Sequence, residues 1–142
     1  MKKLPLIILI LFLSFLTSHS WGETLVCKYT GFNCPEITLN DLVKREGLFY
    51  KEFSDIPFTG EITGKNQGSI KDGYQEGEWV SYWSNGQLMS KGEYKDGKEE
   101  GEQFFYYDTG ELFYKGEYKD GKKVGEWVVY NRDGTLSYKE TY

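Results

Sequence analysis

From Gly47 onward the hydrophobic and polar positions follow no 3.6-residue period; aromatic and β-branched runs of five to seven residues alternate with glycine-bearing turns instead. A helix interior pays about 1 kcal/mol for each such glycine relative to alanine, so this density excludes helices. Short apolar runs bounded by glycine turns read as the strands of β-hairpins. The runs also recur at a fixed period, the mark of a repeat architecture. Gly68 to Lys91 reads "GSIKDGYQEGEWVSYWSNGQLMSK", Gly92 to Lys115 reads "GEYKDGKEEGEQFFYYDTGELFYK", and Gly116 to Lys139 reads "GEYKDGKKVGEWVVYNRDGTLSYK". Each unit is 24 residues long, and the second and third agree at 14 positions.

The turns predict a register. Ser84-Asn85-Gly86, Asp108-Thr109-Gly110 and Arg132-Asp133-Gly134 all put glycine third. A three-residue hairpin loop built on a type I turn needs its third residue left-handed, where Gly86, Gly110 and Gly134 fit without steric cost. Tyr82 then faces Leu88, Tyr106 faces Leu112 and Tyr130 faces Leu136, one cross-strand pair repeated three times. The returning turns, ending in Gly73, Gly97 and Gly121, are expected to take the same glycine-third form.

Alternation sorts the faces. Val80, Tyr82, Phe104, Tyr106, Val128 and Tyr130 make a consistently apolar stripe and are the expected core face. The opposite face is uneven, carrying Trp79, Ser81 and Trp83, then Gln103, Phe105 and Tyr107, then Trp127, Val129 and Asn131. The fold predicted is all-β: an elongated antiparallel meander of stacked hairpin repeats. Residues 47–67 form a shorter, degenerate repeat, residues 68–91, 92–115 and 116–139 are the full units, and 140–142 supply a closing strand fragment. Residues 21–46 are expected to cap the first edge of the sheet. Within them "PEITLNDLVKRE" offers a short helix starting with Asn40 as cap.

The first twenty residues have a different character. Lys2 and Lys3 precede thirteen uncharged residues, Leu4 to Leu16, followed by a short polar stretch with small residues at Ser18 and Ser20. That is the layout of a secretory signal peptide, with an apolar core too short for an ordinary membrane anchor. Cleavage is expected before Trp21, with the bond after Gly22 as the neighbouring option; an uncleaved anchor is the alternative. Val26 before Cys27 argues against lipidation of that cysteine, because a small residue is normally wanted there.

Removal of 1–20 leaves 15 basic against 22 acidic residues, a formal charge of −7, and removes the only histidine, His19. An acidic product is a poor ligand for nucleic acid, whose binding depends on neutralised phosphates. Cys27 and Cys34 both remain, and an even count in an exported chain reads as a disulfide.

The columns "GEWVSYWSNGQL", "GEQFFYYDTGEL" and "GEWVVYNRDGTL", each preceded by "KDG" and four residues, resemble the MORN repeat in its bacterial variant form. The segment "REGLFYKEFSDIPFTG" is similar to the start of exported members of that group, commonly labelled the YwqK family and described as antitoxins of toxin–antitoxin pairs. The resemblance covers Gly47 to Tyr142. It implies hairpin stacking and a protein-binding or scaffolding role, with some relatives associated with membranes or phospholipids. Gly77, Gly101 and Gly125 match the glycine that opens the family's strand, and Trp79 and Trp127 match its aromatic, whereas Gln103 departs from that column.

Catalytic machinery is not expected. Without histidine there is no imidazole base, relay or metal ligand. "KDGKKVGE" lacks a phosphate-cradling loop, and "YKDG" places no second carboxylate at calcium-ligand spacing. Glu78, Glu102 and Glu126 recur once per unit, but a carboxylate pair that works as acid and base needs unlike environments, which identical repeats do not supply. No cofactor or metal is implied. The binding candidates are Trp83, Phe105 and Tyr107, on the uneven face beside charged neighbours. The expected function is that of an exported, noncatalytic module binding another protein at the cell envelope. Peripheral membrane or phospholipid association and carbohydrate binding are the alternatives, with a carboxylate hydrolase the remaining one.

Overall fold

Eight antiparallel strands follow one another in chain order across a single sheet. The structure, a computed structural model, describes residues 36–142. A two-stranded hairpin, β1 (Leu42–Arg45) and β2 (Leu48–Lys51), precedes the sheet. The sheet then runs β3 (Gly60–Ile62), β4 (Asn66–Lys71), β5 (Tyr74–Tyr82), β6 (Leu88–Lys95), β7 (Lys98–Tyr106), β8 (Leu112–Lys119), β9 (Lys122–Tyr130) and β10 (Leu136–Thr141). The result is an elongated meander of stacked repeats in which each strand pairs with its neighbours in sequence.

Two kinds of turn alternate along the two sides. At Ser84–Gly86, Trp83 N–H donates to the Gln87 carbonyl at 2.8 Å and Gly86 N–H to the Trp83 carbonyl at 3.0 Å. Tyr82 pairs with Leu88, Tyr106 with Leu112 and Tyr130 with Leu136. The turns on the other side differ from the sequence expectation. Lys95 pairs directly with Lys98, so the loop is the two residues Asp96 and Gly97, with φ of 49° and 77°. Both central residues are left-handed, as a type I′ turn requires, and that turn matches the right-handed twist of the flanking strands. Asp72-Gly73, Asp120-Gly121 and Glu46-Gly47 share this geometry.

The long strands carry a second glycine device. In β5, β7 and β9 the long strand gains two residues on the strand before it, at Gly77-Glu78, Gly101-Glu102 and Gly125-Glu126, with φ of 71°, 70° and 65° at the glycines. These glycines sit in bulges inside their strands and not at the strand starts. Bulges bend the strand and sharpen its twist.

The expected core face is corrected by burial. Among Val80, Tyr82, Phe104, Tyr106, Val128 and Tyr130 only Val128 is fully buried, while Trp79, Gln103 and Trp127 on the opposite face all are. Glycine makes this possible. Gly68 and Gly116 lie directly beneath the indoles of Trp79 and Trp127, where a Cβ would approach ring atoms to 2.4 and 2.2 Å. The large side chain of one strand thus lies flat over the bare backbone of the preceding one. We call this the tryptophan face. The other is the lysine face, on which Val80, Lys91, Phe104, Lys115, Val128 and Lys139 form one row across six strands.

The expected helix is also corrected. Among the described residues only Leu39–Asp41 is helical, a single 3-10 turn held by Thr38 N–H and Thr38 Oγ1, which donate to Asp41 Oδ2 at 2.9 and 2.7 Å. Leu42 and Val43 then enter β1, because the left-handed Glu46-Gly47 pair closes a hairpin that a helix would forbid. This segment packs on the first strands: Leu42 joins Phe58, Ile62, Ile70 and Trp79 in a buried cluster, and Thr63 N–H donates to the Ile37 carbonyl at 2.9 Å. The disulfide expected between Cys27 and Cys34 is withdrawn. No disulfide is present among the described residues, and both cysteines lie outside them, as does the leader assigned to 1–20.

Candidate interaction surface

The tryptophan face changes character along the sheet. One cross-strand row runs Asn66, Ser81, Ser90, Phe105, Tyr114, Val129, Tyr138 over β4 to β10. It begins polar, with Ser81 Oγ donating to Asn66 Oδ1 at 2.8 Å, and ends aromatic. Around its aromatic end the rings are contiguous. Phe105 stacks on Tyr114 at 4.3 Å between centroids, Phe113 meets Tyr114 edge-on at 4.9 Å, and Tyr107 lies 4.7 Å from Phe113. Tyr114 continues to Trp127 at 5.7 Å, and Tyr118 and Tyr142 meet Trp127 edge-on at 5.1 and 6.2 Å. Such pairs contribute about 0.5–1.5 kcal/mol each beyond area burial.

Of the three sequence candidates, Phe105 and Tyr107 join this cluster through Phe113 and Tyr114. Trp83 is held elsewhere, its Nε1–H donating to the Tyr106 carbonyl at 3.1 Å. Tyr107 makes the equivalent bond one unit on, its hydroxyl donating to the Tyr130 carbonyl at 3.0 Å. Both residues therefore staple one repeat to the next. The Arg132 guanidinium sits 4.7 Å over the Tyr107 ring and pairs with Asp108 at 2.7 Å, which holds the Asp108 carboxyl below the usual carboxylate range. At the other side Lys123 Nζ lies 4.2 Å from the Trp127 ring and 4.9 Å from that of Tyr142.

Phe113 was not legible as part of this surface. The register shift between Phe105–Tyr114 and Tyr106–Leu112 leaves it as the extra residue of a bulge, so its ring joins the face that simple alternation denies it. Phe113 is exposed at 37%, whereas Phe105, Tyr107 and Tyr114 beside it are partly buried. Burial governs the tyrosines. It pushes the Tyr114 phenol up to about 12, with the charges of Tyr118 and Tyr94 adding, and it raises Tyr94 and Tyr118 as well.

The repeated glutamates belong to the lysine face. Glu78 pairs with Lys91 at 2.7 Å and Glu126 with Lys139 at 2.8 Å, all four side chains about half exposed. These are solvated ion pairs of the kind that contribute at most about 1 kcal/mol. Among the described residues no group of three or more His, Cys, Asp or Glu side chains is placed to hold a metal ion.

The hairpins β5–β6, β7–β8 and β9–β10 match the MORN repeat variant over residues 75–96, 99–120 and 123–142. The matched unit starts after each Asp-Gly turn, seven residues on from a repeat counted from Gly68. A MORN-type repeat fold is thereby identified, a noncatalytic scaffold. The match carries no antitoxin role and does not reach the YwqK grouping. A comparison with curated proteins gives no match.

Proposed function

We propose that the chain is a noncatalytic protein-interaction module whose contact surface is the aromatic cluster on the tryptophan face of β7 to β9. The observation that supports this is the exposed Phe113 ring, lifted by a bulge onto a continuous bed of Phe105, Tyr107 and Tyr114 where the first repeat carries Ser81 and Ser90. Exposed aromatic side chains on a rigid bed, rimmed by Arg132 and Lys123, are the residue types that anchor protein partners. A sugar platform built on the tryptophans of the repeat column would need open indole faces, and both are buried. An acidic chain is a poor match for anionic lipid headgroups. Export also belongs to this reading: Lys2-Lys3, the run Leu4 to Leu16 and the small residues at 18 and 20 would deliver the module to the cell envelope.

The test is photo-crosslinking in the native envelope with a reactive group at exposed position 111, beside Phe113, read by mass spectrometry. Phe113→Lys should abolish one specific crosslinked protein while the far-ultraviolet spectrum of the sheet is unchanged. The same partner recovered undiminished by F113K would defeat the proposal. Intact mass of the envelope and medium fractions should show a chain beginning near Trp21.

A further inference from the structure

The two ends of the sheet are not equivalent. At β3 the edge is occupied, since Ile37 accepts from Thr63 and the β1–β2 hairpin packs against the first strands. At β10 no strand among the described residues pairs with the outer edge, and every residue of the strand is exposed. Tyr142 N–H donates to the Gly125 carbonyl at 3.0 Å, so by alternation the amides of Tyr138, Glu140 and Tyr142 turn toward β9. Those of Lys139 and Thr141 turn outward, where no strand among the described residues meets them.

Two occupants are disfavoured by the strand's own residues. A further repeat of the same kind would lay its large side chain over the residue in the column of Gly92 and Gly116, and β10 carries Glu140 at that place. A second copy, paired antiparallel about a two-fold axis at the middle of the regular part of the strand, Lys139 or Glu140, would set that residue against itself, and like charges directly opposite are destabilising. The tryptophan-face side of the edge instead presents Tyr138, Glu140 and Tyr142 in series, with the two rings 55% and 52% exposed. Lys139, on the other face, is neutralised by Glu126 at 2.8 Å, whereas Glu140 has no lysine or arginine at ion-pairing distance among the described residues.

We infer that β10 accepts an extended segment of a partner protein as a ninth strand, one with a basic residue flanked at two positions on either side by apolar residues. The outward N–H and C=O groups of Lys139 and Thr141 supply main-chain bonds, the basic residue lies opposite Glu140, and the apolar residues cover Tyr138 and Tyr142. This is strand addition, in which backbone bonds give affinity and alternate side chains give specificity. It rests on the interaction-module reading and names the chemistry of the partner.

The test uses the full chain and two labelled peptides, Thr-Val-Thr-Arg-Thr-Val-Thr and the same sequence with Glu for Arg. Fluorescence anisotropy should show the Arg peptide binding about fivefold or more tighter, the order of one cross-strand charge pair. Amide exchange should slow at Lys139 and Thr141 on binding, and Glu140→Lys should reverse the preference. Equal binding of both peptides, no binding of either, protection confined to another strand, or a dimer of the free chain by sedimentation would each overturn the inference. Crosslinking separates the two claims. A native partner captured equally by wild type and E140K defeats strand addition and leaves the module reading standing, whereas its loss in E140K with F113K unaffected supports the edge and defeats the Phe113 surface.

Discussion

Gln103 shows how one residue can break a column and keep its chemistry. Trp79 Nε1–H donates to the Ser69 carbonyl at 3.1 Å, and Gln103 Nε2–H donates to the Glu93 carbonyl, 24 positions on, at 2.8 Å. The amide reproduces the indole's hydrogen bond in a site only 3% exposed. Gln103→Leu keeps the volume and orphans that carbonyl, so chemical denaturation should show a loss of about 1–3 kcal/mol. The sequence marks Gln103 only as a departure from the aromatic column, because the shared acceptor becomes visible only once Glu93 and Ser69 are seen at equivalent places. Trp127 Nε1 is buried without a partner, and nothing in the structure explains it. Tyr114 makes a prediction with a definite sign. Its phenol rises from 10.0 to about 12 because burial favours the neutral form. The folded state therefore holds the proton longer than the unfolded one, and the associated stability is complete below pH 10 and lost as pH rises toward about 12. Melting temperature should fall across that window, with tyrosinate absorbance developing late for the buried rings.

At the level of elements, the two turn types were unequally legible. "SNG", "DTG" and "RDG" are legible because a glycine in third place admits one common hairpin loop, and those glycines have φ of 84°, 99° and 79°. "KDG" fits both a three-residue and a two-residue loop, and only the left-handed φ of Asp72, Asp96 and Asp120 decides between them. Two Asp-Gly turns are also tied to the long strand of the preceding unit: Asp96 N–H donates to Glu76 Oε2 of β5 at 3.0 Å and Asp120 N–H to Glu100 Oε2 of β7 at 2.9 Å. Glycines of different kinds should respond differently to substitution. Gly110 has φ +99° and a Cβ there would meet Gln87 Oε1 at 2.8 Å, so Gly110→Val should cost about 1–3 kcal/mol of backbone strain. Gly116 has an ordinary φ, but its Cβ would enter the Trp127 ring, so Gly116→Ala should cost a comparable amount, about 1–3 kcal/mol, by overpacking. Thermal melts of both variants beside exposed Lys98→Ala, expected to melt like wild type, would check the pair.

For the molecule as a whole, the sequence showed the stacked meander but not its end. The segment before the repeats lacks their columns, and the left-handed Glu46 that makes it a hairpin is a conformation glutamate rarely adopts. Its cluster is local to the first strands, and stability in such arrays is approximately a sum of unit and neighbour terms. Ile70, 1% exposed, sits at the centre of that cluster. Ile70→Ala should remove about 2–5 kcal/mol there, and hydrogen exchange should quicken in β3 to β5 while β7 to β9 keep their protection. Uniform acceleration across all eight strands would show a more tightly coupled sheet. The chain-order pairing has a consequence in time as well. Every strand from β4 onward finds its partner in the segment synthesised just before it, and no loop has to wait for a distant piece of chain. The sheet can be laid down as a moving front that starts at β3 and advances by one hairpin for each 24 residues made, leaving a single unpaired edge at every stage.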